Sequence, residues 1–74
     1  MKLEIVCAGE PRKMVWNKRS SVGTIFNMFV PADEYEDWQI TDERGRRLWP
    51  HEELGDVLAD GQRVFITRKP VVVA

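Results

Sequence analysis

Gly61 to Ala74, with the sequence GQRVFITRKPVVVA, is the stretch that decides the fold of this chain. A turn glycine precedes β-branched and aromatic residues, a composition that is typical of a strand. Val64 and Ile66 are two residues apart, which is the spacing of side chains on one face of a strand. We therefore predict a strand with one buried face that ends at Thr67.

The seven residues after this strand indicate a tail. Arg68 and Lys69 are charged and Pro70 lacks an N–H group, so the sequence here opposes further sheet pairing. A fully extended tail would reach roughly 24 Å at about 3.4 Å per residue, which is about twice the radius of gyration of roughly 11 Å expected for this size. We predict a domain over 1–67 and a flexible C-terminal tail over 68–74 that another protein can handle.

Length and charge exclude several classes of protein. The chain has 74 residues, which is enough for one small domain. Its 11 basic and 12 acidic residues give a net charge of −1, which argues against a nucleic-acid partner. The sequence contains no apolar run of about 20 residues and no secretory leader. We therefore expect a cytoplasmic protein without a membrane partner.

The first segment predicts a β-hairpin. Apolar side chains alternate with charged ones at Met1, Leu3, Ile5 and Cys7, so one face of this strand is expected to be buried. A turn over 8–11 and a second strand over 12–17 follow, in which aromatic bulk favours Met14 and Trp16 as the inward residues. Cys7 has no cysteine partner, and we interpret it as a packed side chain and not as a nucleophile.

After the second predicted strand, the spacing of the apolar side chains changes to that of a helix. Ser20 or Ser21 is a suitable N-cap, and Pro31 ends the segment. Its apolar stripe has helical spacing and consists of Val22, Ile25, Phe26 and Phe29. The following 31–37 segment contains four carboxylates and predicts a solvated loop. It lacks the spacing and the glycine of a calcium loop, so we expect no metal there.

The remaining segments complete the order of elements. Alternation over 38–41, a polar turn over 42–45 and a short strand over 46–48 predict a second hairpin. Leu54 and Leu58 suit a short helical turn that closes the core. This order predicts an α+β fold in which a mixed four- to five-stranded sheet packs on one main helix. The final strand should lie beside the first and parallel to it, and one sheet face should remain open to a partner.

The whole chain resembles the ubiquitin-like β-grasp family. The resemblance is carried by Asp37-Trp38-Gln39-Ile40-Thr41-Asp42, Gly45, Leu48, Leu54 and Asp60-Gly61-Gln62-Arg63-Val64-Phe65-Ile66, and it is strongest toward bacterial ubiquitin-like proteins, including the multiubiquitin repeats. These residues specify packing and turns.

The resemblance implies a protein modifier of a bacterial ubiquitination-like pathway, of the kind that serves antiviral defence. It implies activating and conjugating enzymes, a peptidase and a target protein as partners, with the carboxylate of Ala74 as the group that is conjugated. The tail entering the activating enzyme would be Arg68, Lys69, Pro70, Val71, Val72 and Val73. We expect a monomer without a cofactor, and no catalysis by the chain itself, because no base, nucleophile and oxyanion donor converge in the sequence.

The tail also departs from the family. Ubiquitin and the small sulfur carriers end in Gly-Gly, which lets the backbone approach an adenylate or a thiol closely, whereas this sequence ends in Val-Val-Val-Ala. A non-conjugating ubiquitin-like adaptor in a secretion or defence complex is therefore the alternative hypothesis. A sulfur carrier is disfavoured for the same reason.

An exposed patch is the second candidate site. Phe65 lies between the inward residues Val64 and Ile66 and is expected to point outward beside Thr67. Trp49 and Arg47 are assigned to the same partner-binding patch, to which Tyr35 can add. A tryptophan beside Pro50 is as often part of a small core, which is the alternative for Trp49. Two interpretations fit the basic residues Arg44, Arg46, Arg47, Arg63, Arg68 and Lys69: solvated turn charges, which we favour, or a basic rim that steers an acidic partner.

Overall fold

The computed structural model describes residues 1–70. Four strands form one mixed sheet, and helical segments connect them: β1 Lys2–Cys7, β2 Glu10–Val15, α1 Val22–Phe29, a 3₁₀ helix Ala32–Asp37, β3 Trp38–Asp42, α2 Leu54–Val57 and β4 Arg63–Arg68. The strand order is β2-β1-β4-β3. β1 and β4 are parallel, and the two outer pairs are antiparallel. This confirms the predicted α+β architecture and the parallel pairing of the first and last strands.

The core lies between one face of the sheet and α1. Ile5, Val64 and Ile66 are fully buried in the two central strands, as their alternation predicts. Ile25 and Phe26 bury the helical stripe against them. A helix of eight residues is too short to be stable alone in water, so this contact with the sheet stabilises α1.

The first hairpin turns more tightly than the sequence predicts. Only Ala8 and Gly9 form the turn, and β2 already begins at Glu10. Both turn residues have positive φ, 51° and 83°, the pattern of a type I′ turn whose twist matches that of the strands. Pro11 is accommodated because β2 is an edge strand.

The conformation of Ala8 predicts a stabilising substitution. Asparagine tolerates positive φ better than alanine does, so Ala8→Asn should raise the free energy of unfolding by roughly 0.5 to 1 kcal/mol. Gly9→Ala, the opposite change at the neighbouring position, should lower it by about 1 kcal/mol. Urea denaturation followed by tryptophan fluorescence measures both, and a loss of stability in Ala8→Asn would contradict the turn assignment.

Two predictions for the middle of the chain are wrong. Residues Ala32–Asp37 form a 3₁₀ helix and not a loop, because Tyr35 within it stacks on Phe26 with ring centroids 5.3 Å apart. The segment 46–48 is not a strand. It contributes a single bridge, Thr41 with Arg47, together with a hydrogen bond from the Leu48 N–H to the Ile40 carbonyl.

Backbone hydrogen bonds join the 50–55 segment to the 18–23 segment. The first N–H groups of α1 donate to this neighbouring loop, since Val22 donates to the Glu52 carbonyl over 2.8 Å and Gly23 to that of Pro50 over 3.0 Å. In the other direction Gly55 donates to the Lys18 carbonyl over 2.8 Å. Ser21, the N-cap residue, makes no side-chain cap hydrogen bond. In other helices a cap side chain accepts hydrogen bonds from the first N–H groups. In α1 the backbone carbonyls of the neighbouring loop accept them instead.

Candidate functional site

The sheet face opposite α1 is the first candidate surface, and we call it the open face. Strand register places Val6, Phe65 and Thr41 in one row across β1, β4 and β3. Phe65 points outward as predicted but is half-buried, because its row neighbours flank it. Thr67, two residues along β4, is exposed on the same face. The surface is therefore a small apolar centre with hydroxyl groups beside it.

Trp49 and Arg47 mark a second surface. Arg47 pairs with Thr41 and so ends the open-face row at the edge of the sheet. Its guanidinium carbon lies 4.3 Å from the centroid of the Trp49 ring, and Trp49 is 48% exposed. Both residues line a groove that runs around β3 toward α1. The predicted single patch thus divides into the open face and this groove, which we call the edge groove.

Aromatic side chains form the walls of the edge groove. Its volume is about 380 Å³, and it is lined mainly by Tyr35, Trp38, Arg47, Trp49, Pro50 and Lys69. Tyr35 therefore belongs to this groove and not to the open face. The sequence gives a partial signal, because aromatic residues cluster over 35–38 and at Trp49. Only the folded chain brings these separate segments together.

The chain leaves the sheet beside the edge groove. β4 runs to Arg68, one residue beyond the predicted end of the strand at Thr67, and the Arg68 guanidinium lies 4.9 Å from the centroid of the Trp38 ring. The Lys69 N–H donates to the Asp37 carbonyl over 2.8 Å, and Pro70 is exposed. The predicted conjugation residue Ala74 and the tail residues Val71, Val72 and Val73 lie outside the described residues.

Ion pairs neutralise half of the predicted basic rim. Arg46 lies 3.7 Å from Asp42, Arg63 lies 3.6 Å from Glu4, and Arg68 lies 3.8 Å from Glu34. In the described part of the chain, Arg44, Arg47 and Lys69 have no carboxylate within ion-pair distance. Two of these three residues, Arg47 and Lys69, lie near β3 and line the edge groove.

Cys7 is half-buried at the end of β1. Burial raises the pKa of its thiol above the ordinary value, and the Glu10 carboxylate raises it further, while Arg12 lowers it. The thiolate is the reactive form of cysteine, so these surroundings keep the group protonated near neutral pH. Within residues 1–70, no helix is both long and apolar enough to cross a membrane.

The four-stranded mixed sheet around one main helix is a ubiquitin-like β-grasp fold. Among solved structures, the chain is similar to one described as Caldiarchaeum subterraneum ubiquitin, with 25% identity, a TM-score of 0.74 and coverage of 96% of this chain and 95% of that one. A second structure, a ubiquitin-like protein from the same hyperthermophilic archaeon, matches with 24% identity, a TM-score of 0.62 and coverage of 97% and 100%.

A third structure, of ATBAG1 in complex with HSP70, has 12% identity and a TM-score of 0.73, and its match covers 96% of this chain and 41% of that one. At this identity the match shows the fold alone. No protein-family model matches the chain, and no curated protein matches it significantly. These likenesses confirm the predicted ubiquitin-like fold, and the first of them, at 25% identity, supports a ubiquitin-like modifier in general terms.

Proposed function

We propose that this chain is a protein modifier of a bacterial ubiquitination-like pathway, conjugated through the carboxylate of Ala74 and acting in the cytoplasm. The observation that carries the proposal is the end-to-end likeness to a protein described as a ubiquitin, with 95% of that chain covered. A likeness over almost the whole of both chains is expected when two proteins share their role as well as their fold.

The course of β4 supports the proposal. Trp38 pairs with Arg68 in the sheet, and the Lys69 N–H extends this ladder by one hydrogen bond to Asp37. Pro70 has no N–H group for further sheet pairing, and it is exposed. The described chain therefore leaves the sheet at the surface of the domain, at Pro70.

The proposed chemistry transfers the terminal acyl group twice. The carboxylate oxygen attacks the α-phosphorus of ATP and forms an acyl adenylate, with pyrophosphate as the leaving group. A thiolate of the enzyme then attacks the acyl carbon, and AMP leaves as a thioester forms. An amine of the target finally displaces the thiolate and forms an amide. The modifier contributes only its carboxylate and its docking surface, and the enzymes contribute the catalytic groups.

The test is ATP–pyrophosphate exchange by a ubiquitin-like activating enzyme purified from the organism that encodes this chain. Exchange should depend on the full chain, and intact-mass analysis should show a covalent adduct. Both signals should be lost when the Ala74 carboxylate is replaced by a carboxamide, because this change removes the nucleophile and leaves every side chain in place. Lys13→Glu, at an exposed position on β2 outside the edge groove and outside the row of Phe65, serves as the control variant in which the carboxylate is intact.

The outcome that would contradict the proposal is equally specific. If the same enzyme preparation activates another modifier but gives no exchange with this chain, conjugation through Ala74 is wrong. Exchange that persists with the carboxamide would assign the reaction to a different group.

A non-conjugating adaptor is the second candidate. The observation that favours it is the 48% exposure of Trp49 in a groove built from residues of the folded domain. An adaptor docks through such a surface and does not need its tail. Deletion of 71–74 should then leave partner binding unchanged, whereas a modifier loses its function with this deletion.

A further inference from the structure

The edge groove has the composition of a protein-binding hot spot. Tryptophan, tyrosine and arginine are the residues that contribute most of the binding energy at interfaces, and the groove contains Trp38, Trp49, Tyr35 and Arg47. An exposed tryptophan costs free energy in water unless a partner covers it. Among the described residues, this surface shares only Lys69 with the predicted tail on which the proposed function depends.

Hydrogen bonds and stacking form the groove before any partner arrives. The backbone N–H of Trp49 donates to the Glu52 carboxylate over 2.8 Å, and the Pro50 carbonyl accepts a hydrogen bond from the backbone N–H of Gly23 in α1. Tyr35 is held on the opposite wall by its stacking on Phe26. A preformed groove loses little side-chain entropy when a ligand binds, which favours affinity.

The charges of the groove define the ligand. Arg47 and Lys69 both line it, and neither has a carboxylate within ion-pair distance among residues 1–70. Among the lining residues that the structure describes, Glu36 is the single acidic side chain. The groove therefore combines aromatic walls with an excess of positive charge, and the complementary ligand carries carboxylates beside bulky apolar groups.

We propose that the edge groove binds an acidic peptide segment that carries bulky aliphatic side chains. The aliphatic groups lie against Trp49, Trp38 and Tyr35, and the carboxylates of the peptide pair with Arg47 and Lys69. Because the site is built by the folded domain, it serves a modifier and an adaptor equally.

Binding can be measured by fluorescence anisotropy with a fluorescein-labelled peptide EDLLELLDE and the full chain. Two control peptides separate the contributions: EDSSESSDE keeps the charges without the aliphatic groups, and KKLLKLLKK keeps the aliphatic groups with reversed charge. We expect EDLLELLDE to bind at least about tenfold more tightly than either control. Its affinity should also fall as salt is raised, because exposed ion pairs are screened.

Single substitutions locate the peptide on the protein. Trp49→Ala and Arg47→Glu should each weaken binding of EDLLELLDE by at least about tenfold. Lys13→Glu is the matched charge reversal, because Lys13 is exposed on the opposite edge strand β2, and it should have little effect. In NMR spectra the indole N–H resonance of Trp49 should shift, and that of Trp16, which is buried in the core, should not.

Three results would overturn the inference. The first is equal binding of the acidic and the basic aliphatic peptides, and the second is the absence of measurable binding of EDLLELLDE. The third is a loss of binding in Phe65→Ala without a loss in Trp49→Ala, which would place the peptide on the open face. The assay does not use the activating enzyme, so its failure and the failure of conjugation through Ala74 are distinguishable.

Discussion

Ile66→Ala should lower the free energy of unfolding by about 2 to 5 kcal/mol, the range for truncating a buried isoleucine. Ile66 has no exposed surface, and in the central strand β4 it pairs with Cys7 on one side and Ile40 on the other. Removing three methyl or methylene groups there leaves a cavity that strands on both sides prevent from closing. A chain of this length has a total stability of only about 4 to 11 kcal/mol, so much of the variant should be unfolded.

Phe65→Ala, one residue earlier in the same strand, is the matched control. Its side chain is larger but lies on the open face and is half-buried, so the loss should stay near 1 kcal/mol. Urea denaturation with tryptophan fluorescence compares the two variants. Equal losses would mean that Phe65 is a core residue, and the open face would then not be available for docking.

The contrast between Ile66 and Phe65 shows why the strands were predictable from sequence. A strand directs successive side chains to opposite faces, so the alternation that identifies β4 also identifies its buried side. The same argument holds for Leu3 and Ile5 in β1. In α1 the helical period correctly predicts that Val22, Ile25 and Phe26 are buried, whereas Phe29, the last residue of the predicted stripe, is only partly buried.

The predictions from sequence are wrong where a contact distant in sequence decides the local structure. Nothing in the acidic 31–37 segment predicts a 3₁₀ helix, since Tyr35 is held there by stacking on Phe26 of α1. The first hairpin was predicted with too long a turn because Pro11 suggests a loop, although an edge strand tolerates proline.

The candidate sites divide in the same way: features set by local strand geometry are predictable from the sequence, and features set by contacts distant in sequence are not. The outward direction of Phe65 and Thr67 is a local property of β4 and was predicted correctly. Whether Trp49 belongs to the same patch depends on where the 47–50 segment lies in the folded chain. Sequence periodicity contains no information on that position. The edge groove depends on three segments that meet only in the folded chain, so it was not predicted.

Gly55→Val should lower the free energy of unfolding by about 1 to 3 kcal/mol through overpacking. A β-carbon added at Gly55 would lie 3.0 Å from the Lys18 carbonyl oxygen and 3.2 Å from the Lys18 β-carbon. The backbone cannot move away freely, because the Gly55 N–H donates to that same carbonyl and the Leu54 N–H donates to Ser20. The methyl groups of valine must therefore displace the 18–23 segment.

Asp56→Val introduces the same residue one position later in α2. Asp56 is exposed, so this control carries the same low helix propensity of valine without the steric conflict. Its effect should lie within about 0.5 kcal/mol of zero. Similar losses in both variants would show that α2 is sensitive to valine itself, and the close contact with Lys18 would not be the cause.

Gly55→Val should also weaken the edge groove, although Gly55 does not line it. The hydrogen bonds between 50–55 and 18–23 include the bond from Gly23 to the Pro50 carbonyl, and Pro50 and Trp49 form one wall of the groove. Displacing the 18–23 segment moves this wall relative to Tyr35 and lowers the affinity for EDLLELLDE.

The open face is formed by strand register alone, so Phe65 should keep its surroundings in this variant. NMR spectra of the folded variant should therefore show a shifted Trp49 indole resonance and an unchanged Phe65 amide resonance, whereas shifts at both would mean that the two surfaces are not independent.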